Sequence, residues 1–188
     1  MNEYLNNFNQ VIKENFDEFL CLNGFKLESK MMKEYFCKRI YRKGELYISI
    51  TATIHQQDYP QDWMIALGKG NATMPESDWN AVALWQIMER LGQTTPKYYS
   101  LSKGFGKFID TNELSENIQS GKNDLENFGK SFLEGDLKIF YEVRNTRIRS
   151  REPMKMSIVD NNGNYKLVDA PESLELKKRF TGENSDGN

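Results

Sequence analysis

Cysteine and histidine are scarce in this chain: Cys21, Cys37 and His55 are all there is. The two cysteines form no Cys-x-x-Cys pair, which excludes a disulfide-stapled miniature fold and a cysteine-rich zinc module. They are expected to be reduced, small, buried side chains. A catalytic zinc ion draws three protein ligands, more than one of them His or Cys. With a lone histidine, no metal and no cofactor is expected. His55 stands near Asp58 and Asp62 and reads as a histidine at a strand end. No apolar run approaches the roughly 18 residues that span a bilayer. The start, MNEYLNNFNQ, lacks the basic-then-apolar order of an export signal. The expectation is therefore a cytoplasmic chain with no membrane contact. An excess of charge of one sign is missing too. A formal net charge of −2 gives no global field for a polyanion or a membrane surface, so any such binding is local.

What is present suits a packed core. With 188 residues, one α+β domain is expected over 1–180, followed by a flexible polar tail at 181–188. From Tyr4 to Leu22, Leu5, Phe8, Ile12, Phe16 and Phe19 recur at helical spacing, and Asn23-Gly24 supplies the stop. After a linker, the run Tyr35 to Tyr41, the turn Arg42-Lys43-Gly44-Glu45 and the alternating Leu46 to His55 predict a hairpin. Trp63, Ile65 and Leu67 add a third strand. The result is an antiparallel meander with Ile48, Ile50, Ile54, Ile65 and Leu67 toward the helices and a more polar opposite face. Pro75-Glu76-Ser77 introduces a second helix with Ala81, Leu84, Trp85, Met88 and Leu91 on its stripe. Thr94 to Phe108 reads as a loop with a short strand at Tyr98 to Leu101.

Asp110-Thr111-Asn112-Glu113 has capping-box spacing, and its helix runs on toward Gly135, with Gly121 as a point of interruption. Leu137 to Ile148 fits both periods and is assigned to helix, with Asp136 as its cap. Met154 to Val159 and Tyr165 to Val168 flank a turn-rich centre and predict a C-terminal hairpin, with a short helix from Pro171 to Phe180.

No catalytic constellation is legible. There is no Gly-x-Ser-x-Gly elbow. Gly104-Phe105-Gly106-Lys107 lacks the spacing and the Ser/Thr of a phosphate-binding loop. Charge alternates in sign along the chain instead. Residues 30–43 and 137–155 are basic, while residues 108–136 carry Asp110, Glu113, Glu116, Asp124, Glu126, Glu134 and Asp136 against Lys122 and Lys130. Lys103, Lys107, Arg144, Arg147 and Arg151 are the candidate anion-binding residues. Glu113, Glu116, Asp124 and Glu126, with Trp79 near a helix start, are the candidate partner-binding residues. Arg144 falls beside the apolar stripe of its helix and needs a carboxylate or a route to solvent.

The order of short motifs is also informative: Asn23-Gly24-Phe25-Lys26, Arg39 and Tyr41, Leu67-Gly68, Phe132-Leu133-Glu134-Gly135-Asp136 and Arg151-Glu152-Pro153. In this order the chain resembles small bacterial proteins of unknown function, some of them associated with toxin-immunity loci. The resemblance implies a binding protein and brings no catalytic residues. The expected function is recognition of another protein through an acidic or mixed-charge face. The alternative is binding of nucleic acid or another anion through the basic residues named above.

Overall fold

A computed structural model of the chain describes residues 2–54, 62–72, 77–94, 96–104, 107–159 and 163–181. His55, Asp58, Pro75, Glu76, Phe105, Gly106 and the tail from 182 lie outside the described residues.

The first helix, α1 (Glu3–Leu22), is capped by Asn2, whose side chain accepts a hydrogen bond from the Tyr4 N–H. Leu5, Phe8, Val11, Ile12, Phe16 and Leu20 form its buried face. Gly24, at a φ of 83°, takes the left-handed turn that ends it.

Five strands follow in simple sequential order, each antiparallel to the next: β1 (Lys26–Lys33), β2 (Phe36–Lys43), β3 (Leu46–Thr53), β4 (Trp63–Lys69) and β5 (Ala81–Ala83). The three expected strands are β2, β3 and β4. Ile48, Ile50, Ile54, Ile65 and Leu67 are all buried, as the alternation predicts. The sheet is wider than the sequence suggests because it gains a strand at each edge. β1 lies where a linker is expected. It pairs with β2 yet is exposed along nearly its whole length, so its lysine-rich sequence lacks the apolar alternation of a half-buried strand.

At the other edge, the helix expected from Ser77 is broken. Its first turn, α2 (Ser77–Asn80), gives way to β5, and only α3 (Leu84–Arg90) continues. Backbone pairing of Ala81, Val82 and Ala83 with Gly68, Leu67 and Ala66 overrides the helical pattern. The Asn80 side chain braces the break, accepting from the Tyr47 hydroxyl and donating to the Asn71 carbonyl. Leu91, expected on the buried stripe, lies past the end of α3 and is exposed.

The sheet face away from α1 is not simply polar. Tyr47, Ala66, Ala72 and Ala81 form a small second core there. Tyr47 lies directly across from Gly68, where a β-carbon would meet the phenol ring at 2.1 Å.

The Thr94 to Phe108 segment holds a 3₁₀ turn at Lys97–Tyr99 and a small hairpin of β6 (Ser102–Gly104) and β7 (Lys107–Phe108), not a strand at Tyr98. Asp110 caps α4 (Thr111–Phe128), accepting from the N–H groups of Asn112 and Glu113. The break before α5 (Lys130–Glu134) falls at Gly129. Gly121 lies inside the helix, where its missing side chain makes room for Trp63. The ambiguous segment is helical, α6 (Lys138–Ser150), and Asp136 accepts from the Lys138 N–H at its start. β8 (Lys155–Val159), β9 (Tyr165–Asp169) and α7 (Pro171–Thr181) complete an α+β architecture. No helix among the described residues is long and apolar enough to cross a membrane.

Candidate functional site

The acidic helix α4 spends part of its charge internally. Glu113 forms an ion pair with Lys103 of β6, so a candidate partner-binding carboxylate neutralises a candidate anion-binding lysine. Asp124 accepts a hydrogen bond from the Tyr98 hydroxyl, and burial pushes its carboxyl up to about 6. Glu116 and Glu126 are exposed on the same helix.

The basic candidates do not share one surface element. Lys103 and Lys107 sit on the β6–β7 hairpin, which is tied to α1 by the stacked rings of Phe108 and Tyr4, 4.6 Å between centroids. Arg144, Arg147 and Arg151 belong to α6 and its C-terminal cap, and α6 packs against α2, α3, β5 and α7. Arg144 lies against an aromatic ring and an amide of its own helix. Its guanidinium lies 4.9 Å from the Tyr141 ring centroid and donates to Asn145 Oδ1, while burial lowers its pKa. Arg147 lines a groove with Gln86 and Arg90 of α3. Arg151 covers Trp79, with 4.7 Å from guanidinium carbon to ring centroid, and only 3% of Trp79 is exposed. Trp79 is therefore packed beneath an arginine and offers no indole face to a partner.

Arg39 and Tyr41, singled out among the motifs, belong to a buried network on the core face of the sheet. Arg39 donates from both terminal nitrogens, to Asp17 and to Asn9, and from Nε to the Tyr41 hydroxyl. Tyr41 in turn donates to Asp17. Arg39, Tyr41 and the Asp17 carboxylate are all engaged in this network, which suits a bracket between α1 and β2. Cys21 is exposed and Cys37 buried, both as free thiols, and burial pushes the Cys37 thiol up to about 11. Among the described residues, no group of three or more His, Cys, Asp or Glu side chains is placed to hold a metal ion.

The largest concentration of exposed apolar side chains lies on the C-terminal hairpin. Cross-strand pairing puts Met156, Ile158 and Val168 on one face and Val159, Tyr165 and Leu167 on the other. Exposure reaches 82% at Tyr165, 69% at Leu167 and 60% at Val159 on the second face, and Met156 and Ile158 on the first are exposed as well, so neither is a core face. Lys155 and Asp169 form an ion pair across the base, Ala170 N–H donates to the Met154 carbonyl, and Met154 N–H donates to Ser173 Oγ of α7. Among the described strands, β8 and β9 pair only with each other, which leaves an open edge on each. The sequence pattern predicts this hairpin but not its exposure. The signal was available: apolar residues recur on both strands at positions that fall on both faces.

Comparison with protein-family models, with curated proteins and with solved structures finds no match to this chain.

Proposed function

We propose that this chain is a protein-binding domain, of the immunity type its motifs resemble, and that its partner docks on the β8–β9 hairpin by adding a strand to an open edge. The observation that carries the reading is the exposure of Val159, Tyr165 and Leu167 beside unpaired strand edges. A two-stranded hairpin is marginal in water on its own, and solvent-facing edges are usually blunted by charge, proline or a covering element. Strand addition supplies backbone hydrogen bonds, and alternate side chains supply selectivity. The carboxylates of Glu116 and Glu126 add a charged region elsewhere on the surface, as the acidic composition of α4 suggests.

The test is site-specific photo-crosslinking in the cells that express the chain, with the probe at Leu167 and, as control, at exposed Lys13. A protein captured from Leu167 alone is then purified. Tyr165→Ser with Leu167→Lys should weaken its binding by about tenfold or more, equivalent to about 1.4 kcal/mol, with an unchanged circular dichroism spectrum. Equal capture from both positions, or unchanged affinity, overturns the reading. So does saturable oligonucleotide binding at physiological salt that is lost in Arg147→Gln with Arg151→Gln.

A further inference from the structure

A cleft of about 670 Å³ lies between the start of β4, α3 and the 3₁₀ turn, and it uses none of the hairpin residues. Its size falls within the range of small-molecule sites. Met64, Trp85 and Pro96 line it with apolar surface, and Trp63 and Tyr99, both nearly fully buried, belong to the same wall. The rings of Trp63 and Tyr99 pack at 4.9 Å between centroids, and the indole N–H donates to the Tyr98 carbonyl. The aromatic wall is therefore held in place from behind.

The polar groups are few. Asp62 contributes the one carboxylate, bonded to Ser100 and desolvated enough to lie above the usual carboxylate range. Lys97 contributes an exposed ammonium. Tyr99 is 93% buried, with 7% exposed, and its hydroxyl has no hydrogen-bond partner. The same is true of the buried Oγ of Ser102, another residue lining this cleft. A buried hydroxyl without a partner is destabilising relative to a bonded one. Both oxygens are closed off from the cleft, so the polar side chains open to a ligand there are Asp62 and Lys97.

We propose that this cleft binds a small primary amine with a flat apolar body, its ammonium on Asp62 and its ring against Trp85. A carboxylate next to an apolar wall is best satisfied by a cation, and an indole face adds cation–π attraction. An anionic ligand would meet Asp62 with like charge. Lys97 leaves room for a carboxylate on the same ligand, so the source is either a simple amine or an α-amino acid.

Three probes separate these outcomes: phenethylamine, L-phenylalanine and 3-phenylpropanoate, titrated into the full chain while tryptophan fluorescence is followed. Saturable binding of phenethylamine, of phenylalanine or of both is expected, with phenylpropanoate about tenfold weaker or worse. Asp62→Asn should lower the amine affinity by about tenfold. If phenylalanine binds more tightly than phenethylamine and loses that advantage in Lys97→Gln, the ligand is an amino acid. If phenethylamine binds equally well or better, it is a simple amine. Chemical-shift mapping by NMR on the unaltered chain should show the Trp85 indole N–H moving as the probe binds, which keeps the test decisive if Asp62→Asn does not fold. Failure of both amines to saturate, equal binding of phenylpropanoate, or unchanged affinity in folded Asp62→Asn overturns the proposal. None of these results bears on the hairpin, so the two proposals fail separately.

Discussion

The guanidinium of Arg39 and the carboxylate of Asp17 meet through two hydrogen bonds, of 2.7 and 2.9 Å, between the central sheet and the first helix. The arginine side chain is 4% exposed and the aspartate 35%, so the pair sits at the mouth of the core with one end toward water. Asp17→Asn leaves a buried cation with a neutral partner. Because water reaches position 17, the loss should fall below that of a fully buried pair, at about 2–3 kcal/mol. Replacing both, Asp17→Leu with Arg39→Met, should cost less than the two single losses added together, since no charge is stranded. Urea unfolding followed by circular dichroism measures all the terms. A loss under about 0.5 kcal/mol in Asp17→Asn, the range of an ordinary surface substitution, counts against this bracket.

Gly121 illustrates packing without charge. A β-carbon there would sit 2.3 Å from the Trp63 indole, in the interior of α4. Helix propensity alone favours Gly121→Ala by about 1 kcal/mol. Overpacking a dense core costs about 1–3 kcal/mol, and a contact this short against a ring fixed by its own hydrogen bond belongs at the upper end. Gly121→Ala should therefore lower the urea midpoint and shift the Trp63 emission. An exposed helix position would show the opposite sign.

Asp124 carries a pH dependence whose direction follows from its burial. Its folded pKa, about 6, lies above the unfolded value of about 3.9, so the folded chain holds the proton more tightly. Its ionised form is unfavourable at neutral pH. That cost is relieved as pH falls through about 6 and is gone below about 4. Asp124→Asn keeps an acceptor for Tyr98 and cannot ionise. The variant should be at least as stable as the unaltered chain at pH 7, and its advantage should shrink steadily toward pH 4. Urea midpoints of both proteins across this interval check it, because all other carboxylates cancel in the difference. A difference that does not change with pH rejects the assignment.

Local pattern alone determined a large part of this protein: the apolar face of α1, the β2–β3 hairpin and its inward isoleucines, the Asp110 cap, and the strands of the C-terminal hairpin. Each rests on contacts between residues close in sequence, where periodicity and turn chemistry are sufficient. Tertiary structure decided the rest. Lys26–Lys33 becomes a strand because β2 offers it an edge, and Ala81–Ala83 leaves its helical pattern because β4 does the same. Trp79 disappears under Arg151, which lies far away along the chain, and Glu113 turns to Lys103 across the β7–α4 connection. The cleft at Trp85 and Asp62 joins three separate segments, so no window of sequence contains it. Hydrogen-bond pairing across a sheet and charge pairing across a surface depend on which segments are neighbours in space, and spacing along the chain does not encode that.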